Sequence, residues 1–283
     1  MKADLVHDMM HFRSLWNSHG DAHRCSTEFW DRCSKDLLDG QDDDFARPTG
    51  RVEKTLGFLR SRGVLSECES IADVGCGPGL FMQEFAKTAE RVCGIDCSQR
   101  FLDYAKASFE SRNISNITCL NRDFKKLDVM ESGLASSFDL VFASMAPFIS
   151  GMGCLEKLML MSRKWCLCAM VAKKADSLVD KVSRDVFGDE RKDPDAGMGF
   201  YALFNLLWLE GYSPEVCYID EDRVEPFSAN QETAIKLAFA CGRRDSDSAK
   251  KIEEYLKDLN SDRSRRIQSR IGLVLWNVRS GAA

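Results

Sequence analysis

Apolar residues follow two periods along this chain, and the switch between them marks its organisation. From about residue 70 to 171, short apolar runs alternate with stretches whose apolar positions recur every three or four residues. Ile71-Ala72-Asp73-Val74, Arg91 to Asp96, Ile117 to Leu120, Phe138 to Ala143 and Trp165 to Val171 read as strands. Between them, Leu80 to Ala89 sets Phe81, Phe85 and Ala89 on one helical face. Beyond Ser98, a candidate helix cap, Phe101, Leu102, Ala105 and Phe109 form a second such face, and Leu155–Ser162 a third helix. Strands alternating with helices at this spacing predict a parallel sheet covered on both sides.

The flanks keep a different rhythm. Residues 1–45 are polar, with helices expected around Val6–Trp16 and Thr27–Leu38. The acidic run 41–44 and Pro48 read as a linker, and Thr49 as the cap of a helix carrying Val52, Leu56 and Leu59, stopped by Gly63. Residues 172–197 are charged and read as an insertion. Phe200, Leu203, Phe204, Leu207 and Trp208 then fit the helical template up to Gly211. Val216–Ile219 and Ile271–Val278 read as two last strands, with helical stretches near 229–240 and 246–259 between them. The basic run Arg263–Arg266 reads as a solvated helix end. The domain expectation is a helical cap or lid over 1–48 and a main domain over 49–283, with insertions at 172–197 and 224–268.

Composition narrows the classes. With 283 residues the chain is long enough for one enlarged domain. A net charge of -5 disfavours broad phosphate-driven nucleic-acid binding. The start, MKADLVHDMMHFRSLW, has acids and histidines where a signal peptide needs a basic stretch and an apolar core, so the expected location is cytoplasmic, without a membrane span. Twelve cysteines contain no C-x-x-C pair, and several lie in apolar segments; reduced thiols packed as small hydrophobes are expected, with no metal site.

The chemistry concentrates in Asp73-Val74-Gly75-Cys76-Gly77-Pro78-Gly79-Leu80. Glycines after a strand allow a tight turn and close approach of a ligand, and the next helix offers its N-terminal amides. A nicotinamide site would want G-x-G-x-x-G, but the third glycine comes one position early; a phosphate-binding P-loop lacks its Gly-Lys-Ser/Thr. The segment D-V-G-C-G-P-G instead resembles the first motif of the class I S-adenosylmethionine (SAM)-dependent methyltransferases. Two further stations follow in order: Asp96 in V-C-G-I-D-C-S, 23 residues after Asp73, and Asp123 in T-C-L-N-R-D-F. The resemblance spans roughly residues 49–171.

It implies an α/β fold with a seven-stranded, mostly parallel sheet, helices on both faces and an antiparallel seventh strand, and SAM as cofactor. By resemblance, Asp96 accepts from the ribose hydroxyls, Asp123 from the adenine amino group, and Phe124 offers its ring face and its amide. Asp73 and the backbone of Gly75, Cys76, Gly77 and Gly79 face the methionyl part, with Cys97 and Ser144 beside the cofactor. Each acid has a plainer reading as a turn or capping residue; three in order favour the cofactor.

The implied reaction is in-line displacement at the sulfonium methyl, and the family has no universal catalytic residue. Ser144-Met145-Ala146-Pro147-Phe148 follows the fourth strand where acceptor meets cofactor, and it lacks the N-x-P-P-Y tetrad used on nucleobase or amide nitrogens. Met145, Pro147, Trp16 and Trp30 are the substrate-side candidates, docking of the helices being the plainer role of both tryptophans. His7, His11, His19 and His23 form two i, i+4 pairs; His19 or His23 is a candidate general base on a lid. A solvated helix without chemistry is preferred, because Asn17–Gly20 reads as a break. The expected function is methyl transfer to a small molecule, without nucleic-acid or membrane partners. A protein or RNA methyltransferase and a non-catalytic SAM-binding module are the alternatives.

Overall fold

The computed structural model describes residues 2–18, 26–39, 50–189, 197–243, 245–259 and 263–281. Three helices come first: α1 (Lys2–Ser18), α2 (Thr27–Asp39) and α3 (Gly50–Ser61). The alternating region follows as β1 (Ser70–Val74), α4 (Leu80–Phe85), β2 (Arg91–Asp96), α5 (Gln99–Ser111), β3 (Ile117–Asn121), β4 (Phe138–Ser144), α6 (Met152–Met161) and β5 (Ser162–Asp176). The chain continues through α7 (Ser177–Phe187), α8 (Met198–Leu209), β6 (Glu215–Pro226), α9 (Gln231–Ala240), α10 (Ser246–Asp258) and β7 (Ser264–Asn277). Thr49 and the run 41–44 lie outside the described residues.

The seven strands form one sheet in the order β3-β2-β1-β4-β5-β7-β6. The first five pair in parallel, with Asp73 beside Gly94 of β2 and Phe142 of β4. β7 runs antiparallel to β5. Its end meets the start of β5, where Val278 N donates to the Lys164 carbonyl at 2.8 Å. Its start meets the end of β5, where Arg265 pairs with Asp176 at 3.3 Å.

Two compact units divide the chain. The first holds Met1–Met170, Gly199–Ile219 and Gly272–Ala283. All five residues of β1 are buried because both sheet faces are covered. Ala72, Val74 and Ile95 pack on one side with Leu155 and Trp276, while the Phe142 ring meets Phe81 and Phe85. Each fully buried side chain of this kind contributes about 1.5–3 kcal/mol. At the amino end of the strands, Asp139 accepts from Ser70 N and Oγ and pairs with Arg163 at 3.1 Å, tying β1, β4 and β5 together.

The second unit holds Val171–Met198 and Asp220–Ile271. Leu178, Val182, Ala234, Leu237, Ile252 and Leu256 from α7, α9 and α10 form its own core. Most of the two segments read as insertions falls here. One expectation is corrected: Arg265 and Arg266 belong to β7, not to a helix end. Arg266 pairs with Asp222 at 2.8 Å, Arg265 with Glu225 at 3.0 Å and Arg270 with Asp220 at 2.7 Å. Those cross-strand partners supply the charge balance that a local helical reading lacks.

Candidate cofactor site

The site is assembled at the carboxyl ends of β1, β2, β3 and β4. After Val74 the chain turns through Gly75, Gly77 and Gly79, all at positive φ. Gly75 N and Cys76 N both donate to the Ile95 carbonyl, at 2.7 and 3.3 Å, which folds the turn back over β2. Gly75, at φ +78°, has the left-handed conformation that side chains resist. A Cβ there would also lie 3.0 Å from the Phe148 ring and 3.1 Å from Ala146. The loop after β4 therefore rests directly on the glycine turn. A Cβ on Gly77 would meet nothing within 4 Å, so the middle of the turn presents bare backbone to open space.

Asp96 closes this arrangement from β2. Its Oδ2 accepts from Gly77 N at 2.9 Å and its Oδ1 from Ser98 N at 2.8 Å. Burial raises its pKa, while the hydrogen bonds from Ser98, Gly77 and Cys97 work against that rise. Asp73 is 2% exposed. Burial, then repulsion from Asp96, pushes its carboxyl up to about 8. It has no hydrogen-bond or ion-pair partner among the described residues. The Cys76 thiol is raised by burial and then by Asp73 and Asp96, which leaves it a protonated packing group. Cys97 is pushed up to about 11, chiefly by burial, and bonds to Thr27.

Asp123 and Phe124 lie just beyond β3. Asp123 accepts from Lys125 N at 3.0 Å and pairs with Lys126 at 3.3 Å. Phe124 is 3% exposed, its ring 6.0 Å from that of Phe148. From β4, Ser144 lies in register with Ala169, and Met145 holds φ +53° while its N–H donates to the Ala169 carbonyl. Pro147 is half-buried in the same loop.

The N-terminal helices reach this site in a way the sequence reading missed. Ser34 of α2 is fully buried, and its Oγ meets the Ser98 Oγ at 3.2 Å. Thr27 bonds to Cys97, and the charge of Asp31 acts on Asp96. Thr27, Asp31 and Ser34 sit at i, i+4 and i+7, a polar stripe on one helical face that was available as a signal. From α1, the Trp16 carbonyl accepts from Gly151 N, and Asn17 Oδ1 accepts from Met152 N at 3.1 Å. Trp16 is fully buried in the main core, and Trp30 is half-buried, edge-on to Phe29. His7 and His11 are exposed on α1; His19 and His23 lie outside the described residues. Among the described residues no group of three His, Cys, Asp or Glu is placed to hold a metal ion, and every described cysteine is a free thiol.

A glycine turn open at Gly77, with the buried carboxyl of Asp73 and the half-buried one of Asp96 beside it at the strand ends, is the arrangement of a nucleotide-cofactor site in an α/β fold. Residues 71–157 match the family described as a methyltransferase domain. An uncharacterized protein of Haemophilus influenzae is 22% identical over 217 residues, covering 74% of this chain and 76% of that protein. A protein of Aspergillus luteorubrus described as probable methyltransferase ltbC is 35% identical over 101 residues, about 34% of each chain. In fold, the crystal structure of the YcgJ protein from Bacillus subtilis aligns with a TM-score of 0.50 at 13% identity, over 80% of this chain and 98% of that one. No described helix is long and apolar enough to cross a membrane.

The residues present fit the cofactor of this class. The open backbone at Gly77 leaves room for a bound group, and the unpaired carboxyl of Asp73 beneath it suits a cationic one.

Proposed function

We propose that the protein transfers the methyl group of SAM to an apolar small molecule in the cytoplasm. The bound cofactor supplies an electrophilic methyl on a sulfonium. The chain's own task is to bind, orient and exclude water, since in-line displacement depends chiefly on alignment in a dry site. Asp96 would hold the ribose hydroxyls, and Asp123 would accept from the adenine amino group beside the Phe124 amide. Asp73 would hold the methionyl ammonium, with the backbone of Gly75–Gly79 at the same end, flanked by Cys76, Cys97 and Ser144. Met145, Ala146, Pro147 and Phe148 form the wall on the acceptor side.

The observation that carries the small-molecule reading is the docking of both N-terminal helices onto the loops of the site. α1 bonds to Gly151 and Met152 after β4, and α2 bonds to Ser98 after β2. Such cover over an apolar wall suits an enclosed acceptor rather than a macromolecule lying in an open groove. The net charge of -5 also opposes a nucleic-acid acceptor. The test incubates the protein with methyl-labelled SAM and a metabolite extract, beside RNA and protein fractions. Label in a low-mass apolar product supports the reading. Label confined to RNA or protein overturns it, and SAM binding without any labelled product replaces it with a non-catalytic module.

A further inference from the structure

The turn after β3 is held by a cation from a different element. Lys157 projects from α6, and its Nζ donates to the carbonyls of Phe124 at 3.3 Å and Lys125 at 2.7 Å. Both carbonyls belong to the turn whose side chains include Asp123 and Phe124. The helix that delivers Lys157 is itself fixed. Leu155 and Leu158 are buried in the same core cluster as Phe124 and Leu127, and Asn17 accepts from Met152 N at its first turn. An ammonium offers three donors and no acceptor, so seated between two carbonyls it fixes the peptide planes that join Phe124, Lys125 and Lys126. Asp123 precedes those planes, and the Asp123 carbonyl accepts from Lys126 N and Leu127 N at 3.0 Å. The turn is thus restrained by backbone bonds within it and by one cation from outside.

We propose that Lys157 is a positioning residue for the cofactor's base, setting the aim of the Asp123 carboxylate and the Phe124 amide. This rests on the reading of Asp123 as the acid facing the adenine amino group. Lys126 is the other cation at this turn, but it is largely exposed and pairs with the Asp123 carboxylate itself, so it screens the acid rather than orienting it.

The test compares S-adenosylhomocysteine with its deaminated counterpart, in which a carbonyl oxygen replaces the amino group. Binding of each is measured by calorimetry on wild type, K157M and K157R, with melting temperatures alongside. Wild type is expected to favour the amino form. K157M is expected to weaken S-adenosylhomocysteine about tenfold, as loss of a charge-assisted restraint does, and to narrow the preference between the two bases. K157R, which can reach the same carbonyls, is expected to restore both. If K157M fails to fold, K157Q takes its place. Equal loss of both ligands, or unchanged affinity and preference, overturns the role of Lys157 while leaving the base-side reading intact. Absence of any preference in wild type overturns the reading of Asp123 and the proposal together.

Discussion

Asp73 ends β1 beneath the glycine turn, 2% exposed, with its carboxyl pushed from 3.8 up to about 8 by burial and by Asp96. An acid whose native value lies above its unfolded value supports the fold only while protonated. Its contribution is complete below about pH 4 and is lost progressively as pH rises to about 8. That gap corresponds to roughly 5–6 kcal/mol for ionising Asp73 in the ligand-free protein, an upper bound for a group coupled to Asp96. A cationic methionyl ammonium placed against Asp73 reverses the preference, so binding should release a proton at neutral pH. Between pH 5.5 and 7 the ionised fraction of a group titrating near 8 rises about thirtyfold, and the dissociation constant of S-adenosylhomocysteine should fall by about the same factor. Calorimetry in buffers of different ionisation enthalpy reads both the affinity and the proton count. Asp73→Asn should flatten the pH dependence, leaving only the slope due to Asp96. The melting temperature of D73N relative to wild type should also climb from pH 6 to pH 8. A wild-type affinity independent of pH, or a D73N protein that keeps the full slope, would refute the reasoning.

Three further substitutions probe the surrounding geometry. Asp96→Ala removes the acceptor of Gly77 N and Ser98 N as well as the proposed ribose contact, and should weaken S-adenosylhomocysteine binding by about 1.5–3 kcal/mol; calorimetry showing unchanged affinity would displace the ribose from this acid. Gly75→Ala forces a Cβ into a left-handed residue 3.0 Å from Phe148, so urea titration should show a loss of at least about 1–2 kcal/mol. Adding F148A should recover only the steric part, and full recovery would deny the backbone strain. Asn17→Ala takes away the acceptor at the first turn of α6 and should cost about 1 kcal/mol in the same assay; no change would mean that water replaces the side chain without loss.

What the sequence made legible here is what short-range pattern encodes. β1, β2 and β4 were readable because strands buried on both faces are largely apolar, and the glycine turn because Gly75 and Gly79 sit where few other residues fit. Asp96 was readable from its position at a strand end. Its grip on the Gly77 amide was not, since that bond joins two turns nineteen residues apart. β5, β6 and β7 were read too short for a related reason. Their distal halves are charged, and Asp220, Asp222 and Glu225 find Arg270, Arg266 and Arg265 across the ribbon rather than along the chain. Ser98 occupies the predicted cap position of α5, yet its hydroxyl turns to Ser34 of α2 instead of to its own helix. A local rule placed the residue and a distant partner chose its bond.

The Ser98–Ser34 bond also ties α2 to the loop that holds Asp96. Ser98 N holds one oxygen of Asp96 while Ser98 Oγ holds α2, so a shift of α2 acts on the acid proposed for the ribose. On the other side, α1 bonds to Gly151 and to the first turn of α6, and α6 carries Lys157 to the turn of Asp123. α2 thus bears on the loop that holds Asp96, and α1 on the helix whose Lys157 holds the turn after Asp123. Substitutions in α1 and α2 chosen to change the acceptor should therefore change cofactor affinity as well. On the proposed reading, in which α1 and α2 cover the acceptor, these bonds couple acceptor choice to cofactor binding.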